Sequence, residues 1–153
     1  MGASHAEELA RSWRELGSLL ASRRLLASLG GEESKLTPTK LRALDVLAER
    51  RGLRIGDLGE ALSVDETTAT RLADRLVASG LAVRERDPED GRAVVLVLTA
   101  AGKRLATQVA RRRREFFRDV LAALEPDERA ELVRLTVKVA DALRERSAEL
   151  AAR

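Results

Sequence analysis

The chain has 153 residues, the size of one domain with room for an added oligomerisation element, and it carries no cysteine and one histidine, His5. Those counts exclude a disulfide scaffold, a thiolate zinc site, a cysteine nucleophile and a thiol redox sensor. They also leave a multi-histidine metal site or a Ser-His-Asp triad almost nothing to draw on. No metal, cofactor or enzymatic activity is expected. Charged residues make up 35% of the chain, with a net charge of only +3. No apolar run approaches the roughly 18 residues of a membrane span, and the N-terminus lacks a signal peptide's apolar core, so a cytoplasmic protein without membrane contact is expected.

Aromatic residues are scarce: Trp13, Phe116 and Phe117, with no tyrosine. The platforms on which single-stranded bases stack are therefore missing. Arginine outnumbers lysine 24 to 4, which supplies planar forks suited to phosphates and guanine edges. A GC-rich genome produces the same bias.

The first predicted helix runs from about Ser4 to Ser28, with Ser4 and Glu7 as a capping box and Gly30-Gly31 as its stop. Leu9, Trp13, Leu16 and Leu20 form its apolar stripe. Thr37 as N-cap and Pro38 at the first helical position begin a second helix, which stops near Gly52 with Leu41, Leu44, Leu47 and Ala48 inward. Leu53-Arg54-Ile55 reads as a short strand before a small helix ending near Leu62. Asp65 then caps a helix over Glu66 to Ser79, which Gly80 stops. Leu81 to Arg86 and Ala93 to Leu98 form a hairpin around the turn Asp87-Pro88-Glu89-Asp90-Gly91. Thr99 caps a helix reaching about Leu124. A last helix runs from Pro126 to about Leu150, with Leu132, Leu135, Val139 and Leu143 at spacings of three and four. These long stripes exceed what one small domain buries, and a second copy of the chain is expected to cover them.

The helix from Glu66 to Ser79 carries the candidate chemistry. Ala69, Leu72, Ala73, Leu76 and Val77 lie on its inner side; Thr67, Thr68, Thr70, Arg71, Asp74 and Arg75 lie on the other. Thr67, Arg71 and Arg75 are four apart in succession and share a face. Arginine chelates guanine O6 and N7, and threonine meets thymine methyls or phosphates, so the face suits a major groove. An ordinary solvated amphipathic helix has the same pattern. The hairpin tilts the balance, because Arg86, Asp87, Asp90 and Arg92 sit around its tip. A protruding arginine is the side chain that enters a narrow minor groove, with Asp90 expected to hold the Arg92 guanidinium. Between Val64 and Leu98 five arginines face seven acids, so binding depends on placed arginines rather than on a broad positive field. The run Arg111 to Arg114 points most of the way round its helix and reads as solvated or salt-bridged.

Residues 53–98 resemble the winged helix-turn-helix of the MarR family of bacterial transcription regulators. The resemblance lies in the helix pair around Leu58 to Leu76, in Ala73-Asp74-Arg75-Leu76 followed by Ser79-Gly80-Leu81, and above all in DPEDGR leading to VLVLTAAG. The last is similar to the family's Asp-x-x-Asp-x-Arg wing and its leucine-threonine entry into the next helix. Helix order and chain length match as well, so the resemblance covers nearly the whole chain.

The resemblance implies a mainly α fold with a small β-hairpin wing. It implies a dimerisation helix at 1–36, a DNA-binding domain at 37–98, and a region at 99–153 completing the dimer. It implies a homodimeric regulator, a repressor, on a pseudo-palindromic double-stranded operator. Thr67, Thr68, Thr70, Arg71 and Arg75 would face the major groove; Asp90 and Arg92 would form the wing pair, with Arg86 a phosphate contact. Arg54 and Thr37-Pro38-Thr39 would also lie near phosphates. The family's effectors, often phenolic or other aromatic compounds, bind between the dimer helices and the winged domain. Trp13 is the large aromatic nearest that region, although packing in the dimer core accounts for it better. Lack of cysteine excludes the thiol-oxidation branch of the family. A winged helix used for protein–protein contact, or a ligand-independent nonspecific DNA binder, remains the alternative.

Overall fold

The computed structural model describes residues 3–30 and 36–151. Their elements in order are α1 (Ala3–Leu20), α2 (Arg23–Gly30), α3 (Pro38–Glu49), α4 (Ile55–Leu62), α5 (Glu66–Ala78), β1 (Ala82–Arg86), β2 (Val94–Leu98), α6 (Ala100–Leu121) and α7 (Pro126–Ala151). The fold is mainly helical with one two-stranded antiparallel hairpin, the class expected from the sequence. The chain divides into two compact units, Met1–Arg113 and Arg114–Arg153.

In the first unit α3, α4, α5 and the hairpin enclose a leucine-rich core. Leu44, Leu58, Leu62, Leu76, Leu96 and Val109 are fully buried in it. The hairpin pairs in the register Ala82↔Leu98 through Arg86↔Val94. The expected strand over Leu53–Ile55 reduces to one residue. Leu53 exchanges both backbone hydrogen bonds with Leu96, at 3.1 and 2.8 Å, after which Arg54 caps α4 and Ile55 is already helical. The buried side of α3 runs through Ala43, Leu44 and Leu47. Ala48 lies at the margin of that stripe and is exposed rather than inward.

The long first helix is two helices. Ser22 interrupts it: its hydroxyl accepts from the Leu25 N–H at 3.3 Å and its carbonyl from the Leu26 N–H at 3.0 Å. Ser22 thus caps α2. α1 begins by Ala3, which leaves Ser4 inside the first turn rather than ahead of it. Of the expected stop, Gly30 ends α2 and Gly31 lies outside the described residues. Leu9, Trp13, Leu16 and Leu20 are all exposed on α1, Trp13 by 51%.

Part of the arginine run binds α6 into this unit. Arg113 chelates Asp45 of α3 at 2.7 and 2.8 Å. Arg112 Nη1 donates to the Ser28 and Leu29 carbonyls at the end of α2, where a cation complements the helix dipole. The Arg113 pair agrees with the salt-bridged reading of the run, while Arg112 binds backbone carbonyls instead.

The second unit holds the end of α6 and the whole of α7. The Glu125 N–H donates to Glu128 Oε2 at 2.9 Å, closing the first turn of α7 behind Pro126. Along α7, Leu132 and Leu143 are exposed by 44% and 52%, Leu135 is similarly bare, and Val139 is half-buried. No described helix is long and apolar enough to cross a membrane.

Candidate nucleic-acid interface

The interface is built on the turn between α4 and α5. Ser63 takes a left-handed conformation at φ 56°, ψ 47°, and the Val64 N–H returns to the Gly59 carbonyl at 3.0 Å. A Cβ at Gly59 would be crowded, 3.1 Å from the Val64 carbonyl oxygen and 3.5 Å from the Ala69 Cβ. That close approach sets α5 against α4. Asp65 then caps α5, as expected: its Oδ1 accepts from the Thr68 N–H at 2.9 Å. Its Oδ2 accepts from the Thr68 hydroxyl at 2.7 Å. These bonds, the hydroxyl first, hold the Asp65 carboxyl below its ordinary pKa. The Thr68 hydroxyl proton is thereby committed to the cap, leaving its methyl and the oxygen's acceptor capacity to the outside.

Ala69, Leu72, Ala73 and Leu76 bury the inner face of α5, while Thr67, Thr68, Thr70, Arg71 and Arg75 are exposed. Asp74 shares that outer side, but Arg84 of β1 draws it away in a 2.7 Å ion pair. Arg71 and Arg75 form no ion pair among the described residues, so the outer face presents two unneutralised guanidinium groups. Lys40 of α3 adds a third cation that sequence reasoning missed. Burial, and then the charge of Arg75, lower its pKa, which places like charges together where a phosphate would relieve them. The only signal for Lys40 in the sequence is its place in the first turn behind Thr37, whose hydroxyl accepts the Lys40 N–H at 3.2 Å.

The far end of α5 joins it to the wing. Gly80, at φ 69°, allows the Leu81 N–H to reach back to the Leu76 carbonyl at 2.9 Å, and β1 follows at once. Thr99 ties the other strand down: its N–H donates to the Leu81 carbonyl at 3.0 Å and its hydroxyl to the Gly80 carbonyl at 2.7 Å. Gly102 fits beneath because a Cβ there would come within 2.0 Å of the Leu81 carbonyl oxygen.

At the wing tip, the Asp87 N–H donates to the Ala93 carbonyl at 2.9 Å and the Ala93 N–H to the Asp90 carbonyl at 2.8 Å. The side chains act differently from the expectation. Asp90 does not hold the Arg92 guanidinium; its Oδ1 accepts the Arg92 backbone N–H at 3.2 Å. Two residues of separation bring a carboxylate to that main-chain donor. Asp90 Oδ2 and Asp87 Oδ2 accept instead from Arg54, at 3.2 and 2.9 Å from Nη2. Arg54 thus ties the start of α4 to the wing carboxylates through Nε and Nη2. Arg86 and Arg92 are exposed and form no ion pair among the described residues. Trp13 lies on α1, outside this interface.

A helix-turn-helix whose second helix bares arginines, followed by a hairpin with arginines at its tip, defines a winged-helix DNA-binding protein. Comparison with known proteins agrees. Residues 34–93 match the MarR family model. The HTH-type transcriptional regulator YcgE of Bacillus subtilis is 32% identical over 110 residues, which are 72% of this chain and 71% of YcgE. A MarR family protein from Bacillus stearothermophilus superposes with a TM-score of 0.79 at 26% identity, covering 94% of this chain and 99% of that one. The PcaV transcriptional regulator of Streptomyces coelicolor, solved in complex with its natural ligand, gives 0.66 at 32% identity over 92% and 95% of the two chains. The chain belongs to the MarR family, whose members are DNA-binding transcription regulators rather than enzymes.

Proposed function

We propose that the protein is a cytoplasmic homodimeric repressor that reads a pseudo-palindromic operator, with α5 in the major groove and the β1–β2 wing in the neighbouring minor groove. The observation that carries this reading is the outer face of α5. Of its two exposed acids, Asp74 is withdrawn into the pair with Arg84 and Glu66 stands at the first residue of the helix, which leaves Thr67, Thr70, Arg71 and Arg75 to meet base edges and phosphates. Thr68 offers its methyl and hydroxyl oxygen. At the wing, Arg92 enters the minor groove and Arg86 meets the backbone.

Residues 37–98 form the DNA-binding domain; 1–36 and 99–153 form the dimerisation region. The bare apolar stripes of α1 and α7 support that assignment, since they are what a second copy would cover. A dimer with two reading heads fits half-sites centred roughly 10 bp apart. Occupying such a length of promoter excludes other proteins from it, which is the physical basis of repression.

A small aromatic or phenolic effector releases the operator by favouring a spacing of the two recognition helices that the DNA does not match. The existence of a ligand complex of PcaV supports this part of the reading. Trp13 is the side chain of α1 with the area and flatness to contact such a ligand.

The test is selection from a randomised duplex library at moderate salt, with and without cell extract as a source of effector. Enrichment of a pseudo-palindrome of that spacing is expected. Arg71→Ala should weaken binding to the enriched duplex by about 1–3 kcal/mol. A flat selection with affinity that falls as salt rises would mean nonspecific DNA binding, and affinity that does not fall with salt would leave protein–protein contact as the function of the winged domain.

A further inference from the structure

Two adjacent residues hold the wing to the body of the domain, at different heights. Leu53 bonds to Leu96 through the backbone and fixes the wing at its base. Arg54 reaches the tip, where Nε and Nη2 meet Asp87 Oδ2 at 3.2 and 2.9 Å and Nη2 meets Asp90 Oδ2 at 3.2 Å. Beneath that bridge lies a cleft of about 500 Å³ with Val95 and Val97 in its wall, so the tip does not rest on packed side chains there. The sequence gives up something for the arrangement. Arg54 is the N-cap of α4 and makes no side-chain cap bond, where Ser, Thr, Asp or Asn would make one. Each carboxylate that Arg54 grips also shapes the turn. Asp87 Oδ1 accepts the Glu89 N–H at 2.9 Å, and Asp90 Oδ1 accepts the Arg92 N–H at 3.2 Å. The guanidinium is thus one carboxylate away from the backbone of Arg92.

We propose that Arg54 is a positioning residue for DNA recognition: by gripping Asp87 and Asp90 it fixes the wing tip so that Arg92 arrives at the minor groove already oriented. The inference rests on the reading of the wing as a minor-groove element. Arg54 acts without touching DNA. A fixed tip loses less conformational freedom on binding, which is how a residue off the interface contributes to affinity.

The experiment is a double-mutant cycle on the duplex enriched by the selection, using wild type, Arg92→Ala, Arg54→Gln and the double variant. Arg92→Ala should weaken binding by about 10-fold or more. Arg54→Gln should weaken it by about 5-fold, and the double variant should bind no more weakly than Arg92→Ala alone. Arg54→Lys, with the charge but not the fork, should recover part of the loss. Amide exchange at Glu89 to Ala93 should accelerate in Arg54→Gln while the melting temperature of the domain holds. Multiplying losses would mean that Arg54 contacts DNA itself and would overturn the proposal, as would unchanged amide exchange in the turn. If Arg92→Ala alone binds as wild type, the wing reading fails and the proposal falls with it, a result distinct from an additive cycle.

Discussion

α5 and α7 carry apolar residues at the same helical spacings, yet the chain treats them differently. On α5, Ala69, Leu72, Ala73 and Leu76 are buried, and the helix packs on α4 and β1. On α7, Leu132, Leu135 and Leu143 stay roughly half exposed, and α1 repeats the pattern with Leu9, Trp13 and Leu16. Periodicity alone therefore announces that a face must be covered, not what covers it. The winged domain is closed by its own elements, whereas α1 and α7 leave their apolar stripes exposed. In the homodimer proposed above, a two-fold copy of the same chain would cover them, the same patch of each subunit meeting that of the other.

The difference is sharpest in two truncations of the same residue type. Leu76→Ala removes a fully buried side chain from the winged core and should cost about 2–5 kcal/mol of unfolding free energy, at any protein concentration. Leu135→Ala on α7 should leave the urea midpoint of the winged domain nearly unchanged. It should instead raise the dimer dissociation constant by about 10-fold, since each two-fold interface loses the side chain twice. Sedimentation equilibrium reads the second effect and denaturation the first. A Leu135→Ala protein that melts early but stays dimeric would mean that α7 is covered within its own chain.

The same contrast explains how much could be read from the sequence. Helix boundaries from Thr37 to Thr99 follow from residues whose chemistry is local: Thr37 and Asp65 as caps, Gly80 as a stop, Asp87 to Gly91 as a turn. The wing pattern Asp-x-x-Asp-x-Arg marked the tip for the same reason, and it names Asp87, Asp90 and Arg92 together. What escaped was non-local. Arg54 and Asp87 are 33 positions apart, and nothing in a single sequence pairs them. Asp74 was placed on the outer face of α5 by its angle alone; its removal by Arg84 needs the strand that only folding brings alongside. The break at Ser22 was hidden because the apolar periodicity runs on across it. The spacing from Leu44 points Ala48 inward, but the buried stripe centres toward Ala43 and leaves Ala48 exposed.

The smallest effect concerns charge in the cap of α5. Asp65 has a carboxyl pKa lowered by the Thr68 hydroxyl and N–H, so folding binds fewer protons there than the unfolded chain does. Its contribution is fully present above the ordinary carboxylate pKa of about 4 and is lost as pH falls through the lower folded value. Asn caps a helix as well as Asp but does not titrate, so Asp65→Asn separates cap geometry from cap charge. Denaturation from about pH 5 down to about pH 2.5 should show a shallower loss of stability in Asp65→Asn than in wild type, with near-equal stability at pH 7. Asp87, whose pKa is lowered first by the Glu89 N–H and then by Arg54, follows the same sign. An acid limb remaining in Asp65→Asn therefore belongs in part to the wing. Asp87→Asn in the same background should flatten it further. The transition of α7, whose Glu131 is held down by Arg134, should keep its own acid sensitivity in both variants. If both substitutions leave the acid limb as steep as in wild type, the pH dependence lies in other carboxylates of the chain, and the Asp65 cap and the Asp87 turn do not set it.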